Sequence, residues 1–279
     1  MILDAHQHFW HYSPEEYGWI GERLACIRRD FLPDDLAREQ DAFGADGSVA
    51  VQARQTLAET EWLLDLADRH PRIQAVVGWL DLRSPDLPAQ IERFADRPKL
   101  KGVRHVVQDE PDDRFIIRDD FARGVGMLTC HDLAYDILIV PRQLRAAIEL
   151  VARFPEQRFI LNHIAKPFIG RREMEPWATQ VRQLASHPNV ACKVSGMVTE
   201  TRWHAWRREE FFPYLDVVFD AFGCERLMVG SDWPVCLVSG SYAETMGIAT
   251  AYVEALSADE RARVLAGTAK EWYRIAGVC

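Results

Sequence analysis

The sequence predicts an α/β fold, a single (β/α)8 TIM barrel spanning residues 1–279. Three observations carry that expectation. Short apolar runs alternate from end to end with stretches of helical periodicity. The length of 279 residues suits one such barrel, which takes about 250. Polar or ionisable residues close nearly every apolar run, where the strands of a barrel present their chemistry. A doubly wound open sheet is the rival. It usually carries a glycine-rich turn after its first strand, and His6-Gln7-His8-Phe9-Trp10 stands there instead.

The apolar runs lie at residues 2–6, 47–53, 73–79, 101–107, 134–139, 158–163, 189–195 and 226–231, each short enough for a buried strand. Helical periodicity fills the gaps. Residues 34–43 follow Pro33, which is placed to start a helix. Within 57–69, Trp62, Leu63, Leu66 and Ala67 make one apolar face. Further helical stretches are 86–95, 119–130, 141–152 with proline at its first turn, 173–186 and 209–222. Residues 243–256 and 259–275 follow as the last two. The first crossover, 9–29, is long and holds Phe9, Trp10, Tyr12, Tyr17 and Trp19, which points to a lid over a pocket. There is no internal repeat beyond the βα unit, no low-complexity tract and no linker.

Composition narrows the function. The chain is 48% hydrophobic, enough for a large core, and its net charge of −9 disfavours nucleic acid as a partner. No segment reaches the ~18 apolar residues of a membrane span. Asp4 and His6 stand where a signal peptide would need a basic end and an apolar run. The six cysteines lack C-x-x-C spacing, and Cys130, Cys192 and Cys224 sit in or beside apolar segments as buried free thiols would. A reducing, cytoplasmic setting is expected. No nucleophile elbow, Walker motif or dinucleotide fingerprint appears. Only five of the 33 basic residues are lysines, so Lys166 and Lys193 at strand ends are specific choices.

The strand ends supply His6 and His8, Gln52 and Arg54, Trp79 and Asp81, Arg104 and His105 with Gln108 beyond, and Asp136. They go on to Asn162, His163 and Lys166, then Lys193 and Ser195, and last Ser231, Asp232 and Trp233. Each has a bland structural explanation alone. Together they are more than a packed core needs. Such a ring suits attack of water on a carbonyl. Asp232 is the candidate general base. His6, His8 and His163 are placed to hold a metal ion or to donate to a developing oxyanion. Arg104, His105, Lys166 and Lys193 are candidates for binding an acidic or polyhydroxylated substrate. Trp10, Trp19 and Trp233 are candidates for stacking on the apolar face of a sugar-like ring.

At this point the chain resembles a known family. Leu3-Asp4-Ala5-His6-Gln7-His8-Phe9-Trp10 is similar to the first strand of the amidohydrolase superfamily. Lys101-Gly102-Val103-Arg104-His105, Leu161-Asn162-His163-Ile164-Ala165-Lys166-Pro167, Lys193-Val194-Ser195-Gly196 and Gly230-Ser231-Asp232-Trp233-Pro234 resemble its sugar-lactonase branch, across essentially the whole chain. That branch includes L-fuconolactonases, L-rhamnonolactonases and the pyrone-dicarboxylate lactonase. The resemblance implies a (β/α)8 barrel and lactone hydrolysis, with His6, His8, His163 and Asp232 on functional positions. The superfamily's usual fourth-strand lysine, which bridges two metals, has no match, because Arg104-His105 stands there. One divalent ion is therefore expected, zinc favoured, held by His6, His8 and Asp232. Some lactonases of this branch work without metal, so it need not be essential.

The leading expectation is a hydrolase of a small aldonolactone, L-fuconolactone favoured, with Asp232 and His163 catalytic. A metal-dependent decarboxylase of the same superfamily and a non-enzymatic sugar-binding protein are the alternatives. The expected partner is the small-molecule lactone, with no nucleic acid and no membrane. A homo-oligomer is left open.

Overall fold

Eight parallel strands follow one another in chain order, each hydrogen-bonded to the next. They are β1 Leu3–Gln7, β2 Gly47–Val51, β3 Ile73–Gly78, β4 Leu100–His105, β5 Ala134–Ile137, β6 Phe159–Leu161, β7 Val190–Val194 and β8 Leu227–Val229. The structure is a computed structural model and describes residues 1–276. All eight expected apolar runs form strands, most of them shorter than the run.

The seam between β8 and β1 closes just beyond the end of β8. Asp232 N donates to His6 O at 2.8 Å, and His8 N donates to Trp233 O at 2.7 Å. The Asp4 carboxylate receives Ser231 N at 2.8 Å and Ser231 Oγ at 2.6 Å. These bonds complete a barrel.

Helices cover the outside: α1 Pro33–Phe43, α2 Leu57–Arg69, α3 Leu87–Glu92, α4 Asp119–Leu128, α5 Leu144–Arg153, α6 Trp177–Ala185, α7 Phe212–Phe222 and α8 Tyr242–Val253. Thr56 caps α2, and Ser241 and Glu244 cap α8 reciprocally. The expected last helix is broken. It forms α9 Ala258–Ala262, a π-helical turn at Arg263–Gly267, and α10 Thr268–Trp272. No helix among the described residues is long and apolar enough to cross a membrane.

Two apolar layers hold the fold. One lies between strands and helices. The other fills the lower barrel, where Ala5, Ala75, Ala134 and Ala191 are small enough to admit a plug from the C-terminal segment. That plug is Ala266, Ala269, Trp272 and Tyr273. All five cysteines among the described residues are free. Cys192 is buried and Cys224 partly so, but Cys130 is exposed, because α4 ends before it and the chain turns outward. Cys279 lies outside the described residues.

Candidate active site

The first strand reaches the site through a bulge. Its pairing with β2 slips between Asp4 and Gln7, so that β1 spends one residue more than β2 over that interval. Leu3 and Ala5 pack inside the lower barrel, and the shift turns His6 and His8 inward above them. The two Nε2 atoms lie 3.3 Å apart. The Asp232 Oδ1 atom lies 3.3 Å from His8 Nε2 and 3.7 Å from His6 Nε2. Gly230 makes this approach possible: a Cβ there would come within 2.7 Å of His6 Cβ.

His163 completes the group, with its Nε2 also 3.7 Å from Asp232 Oδ1. It stands two residues past the end of β6 and has a left-handed backbone, as do Ile164, Ala165, Lys166 and Asp232. Such conformations are costly for non-glycine residues and cluster at functional sites. The His163 ring is fixed by Ser195 Oγ, 2.9 Å from Nδ1. Gly196, at φ +62°, leaves room for it, since a Cβ there would lie 2.3 Å from Nδ1.

Arg104 projects inward from β4 and is buried. Its Nη2 donates to Gln52 Oε1 at 2.8 Å and to the Gln52 carbonyl, and its Nη1 donates to Asn162 Oδ1 at 3.3 Å. The same Nη1 lies 3.2 Å from His6 Nε2. On the other side of His6, Lys193 Nζ lies 3.3 Å from Nδ1. Lys193 is itself paired with Asp136 at 2.7 Å, and both side chains are fully buried.

Above this floor opens a cavity of about 750 Å³. His8, Arg104, His163, Lys166 and Asp232 line its base, while Trp19, Glu15, Glu16 and Gly18 of the aromatic crossover form one wall. Arg54, at the end of β2, contacts Glu16 and ties that wall to the barrel.

Four expected substrate contacts lie elsewhere. Trp10 is buried against Tyr17 and Phe31, and Trp233 against Phe9 and Phe31, so both rings support the loop from beneath. Of the three tryptophans only Trp19 lines the cavity. His105 points out of the barrel, as strand alternation requires once Arg104 points in. It stacks on Phe115 and bonds Glu110 at 2.7 Å. Lys193 sits below the cavity, committed to Asp136.

The sequence of residues 3–275 matches the model of the Amidohydrolase family. This chain is an amidohydrolase. It is 42% identical to an L-fucono-1,5-lactonase of Burkholderia multivorans, an alignment covering 99% of this chain and 96% of that one. A second L-fucono-1,5-lactonase, of Burkholderia ambifaria, is 40% identical, with 98% and 95% covered. A crystal structure of an amidohydrolase from Burkholderia multivorans with bound zinc superposes at a TM-score of 0.94. It has 42% identity, and 99% of this chain and 100% of that one are covered.

Electrostatics in this amidohydrolase favour one charge state at the site. Burial first, and then Lys193, His163 and Arg104, hold His6 well below the ordinary histidine range. Burial also lowers His8, against the pull of Asp232. His163 is pushed down to about 3, again chiefly by burial. For Asp232 burial works against ionisation, but His163, His8 and Lys166 outweigh it and hold the carboxyl at about 2. The result is a carboxylate ringed by neutral imidazoles.

That donor set fits a divalent metal. His6, His8 and Asp232 are all buried and offer ligand atoms within 4.8 Å of one another. His8 Nδ1 donates to the Val51 carbonyl at 2.7 Å, which leaves its Nε2 lone pair facing the other two. Imidazole nitrogen with carboxylate oxygen suits zinc, and three protein ligands leave a position open.

Tyr273 was not among the residues expected at the site. Its hydroxyl reaches Asp136 from below at 2.8 Å. The only local signal is an aromatic at the end of a helical pattern, which an ordinary surface helix shares. Glu15 and Glu16 in the cavity wall were equally silent.

Proposed function

We propose that this amidohydrolase opens a small, neutral sugar lactone, L-fucono-1,5-lactone favoured, to the hydroxy acid. The observation that carries the reading is the Asp232 carboxylate at the base of a cavity, faced by three imidazole Nε2 atoms at 3.3–3.7 Å. The names of the relatives at 40–42% identity support the same substrate class.

In this reading Asp232 orients a water molecule and takes its proton as the oxygen attacks the lactone carbonyl. His163 and the Arg104 guanidinium, both in the cavity base, stabilise the oxyanion. Lys166 binds ring hydroxyls or the carbonyl from the cavity side, and Trp19 covers the sugar ring. Proton return to the ring oxygen opens the ring. A carboxylate held at about 2 is a weak base. A zinc ion held by His6, His8 and Asp232 would make its water more acidic and so match that weak base.

Free thiols at the described cysteines fit a reducing cytoplasm. A panel of aldonolactones, read by acid release with and without chelator, tests the function. Elemental analysis should find one zinc per chain. Two tightly held metals would contradict the single-ion reading. Failure to open any aldonolactone with zinc supplied would overturn the function.

A further inference from the structure

A polar column runs down the barrel axis beneath the reacting groups. Its foot is Tyr273, just past the end of α10. The hydroxyl donates to the Asp136 carboxylate, 2.8 Å from each oxygen. Asp136 Oδ2 in turn accepts Lys193 Nζ at 2.7 Å and Asn162 Nδ2 at 2.9 Å. From there two branches rise. Lys193 Nζ lies 3.3 Å from His6 Nδ1. Asn162 Oδ1 accepts Arg104 Nη1, which lies 3.2 Å from His6 Nε2. Both ring nitrogens of His6 thus face cationic side chains that trace back to one carboxylate, and the neutral ring accepts from one of the two.

We propose that Tyr273 and Asp136 are positioning residues, which hold Lys193 and Asn162 so that His6 and Arg104 keep the orientation the site requires.

Three arguments support this. A buried Lys–Asp pair is at best near neutral for stability compared with apolar side chains of equal volume, so packing alone does not call for Lys193 and Asp136. Tyr273 is closely seated: a Cβ at Gly102 would come within 3.4 Å of its ring. The column is also selective. Tyr135, equally buried in the neighbouring position of β5, has a hydroxyl with no partner among the described residues. Groups in direct contact with a metal-binding histidine, as Lys193 and Arg104 are, typically change metal affinity or activity about 10–100-fold when lost, and Tyr273, which acts through Asp136 and Lys193, falls at the low end of that range.

The kinetic arm of the test rests on the lactonase reading, and the zinc arm does not. Tyr273→Phe removes one oxygen atom and keeps the plug. It should lower kcat at least about tenfold with KM changed less than about threefold, and weaken zinc binding, measured by competition with a chromophoric chelator, about tenfold. Tyr135→Phe should change neither. Lys193→Met combined with Tyr273→Phe should lose less than the two single losses added together, because they share the Lys193 branch while the Asn162 branch feels only Tyr273. A purely structural hydroxyl would lower the melting temperature and leave zinc affinity unchanged. A folded Tyr273→Phe enzyme with native kcat and native zinc affinity, or with losses no larger than those of Tyr135→Phe, overturns the proposal. Absence of lactone turnover in the unaltered enzyme overturns the functional reading only, since zinc affinity reports on the column by itself.

Discussion

Replacing Asp232 with Asn separates charge from shape at the centre of the site. Asp232 sits at φ +58°, a left-handed conformation that Asn tolerates better than most residues. Its backbone bonds, Asp232 N donating to the His6 carbonyl and Cys236 N donating to the Asp232 carbonyl, do not involve the side chain. The variant should therefore fold. What disappears is an anion whose carboxyl is held at about 2, against an ordinary value of 3.8. At 1.36 kcal/mol per unit that is roughly 2 kcal/mol. Because the folded pKa is depressed, this stabilisation is present above pH 3.8 and is lost as the pH falls through about 2. At neutral pH the variant should melt roughly 4–8 °C lower, and the difference should vanish in strong acid. Loss of the general base should cost 10²–10⁴-fold in kcat, about 3–5 kcal/mol of barrier. Acid release from L-fucono-1,5-lactone and a melt followed by circular dichroism measure both effects. A folded Asp232→Asn protein with near-native turnover refutes the mechanism.

Other expectations follow from the same geometry. Lys166→Met keeps the stem and removes the charge at the cavity base, so kcat/KM should fall at least tenfold, about 1.4 kcal/mol; unchanged kinetics would make Lys166 a structural residue. Gly196→Ala puts a side chain at φ +62° and against His163, so it should cost about 1–2 kcal/mol of stability. It should also cut kcat on the order of 10²-fold through His163 displacement; a native melting curve would show that the loop yields freely. Glu59 caps Ala53 N and Arg54 N, and burial raises its carboxyl to about 7. Its folded pKa lies above the unfolded value. Stability should therefore be full below pH 4.5 and fall as the pH rises through 7, by about 3 kcal/mol. Glu59→Gln retains an acceptor for both amides, and its melting temperature should be flat over that window.

The barrel was legible because each strand is a short, largely apolar run and polar residues gather at its end. His6, His8 and Asp232 could be read for the same reason, since closure must bring the last strand beside the first. Other features depend on distances across the barrel, which no local pattern encodes. Lys193 sits one layer lower than its place at a strand end implied, and there meets Asp136. Trp10 and Trp233 fold under the loop because it wraps back on Phe31. His105 is different: alternation from Arg104 already points it outward. The bulge in β1 is invisible in Leu3-Asp4-Ala5-His6, because it is a matter of register with β2. Tyr273 needed knowledge that the terminal segment plugs the floor.

The closing seam has a consequence for biosynthesis. Asp4 finds its partner Ser231 only after 227 more residues have been made. At about 5–20 residues per second, that leaves β1 unpaired on the β8 side for roughly 11–45 s of translation. During this interval an apolar edge, with a buried-type carboxylate and two histidines, stays open to solvent or to a chaperone. Burial raises the Asp4 carboxyl to about 6 in the finished barrel, and the Ser231 bonds pull against that rise. The segment that follows β8 therefore both shuts the sheet and brings Asp232 to the histidines, so no chain shorter than about 232 residues can hold the assembled site.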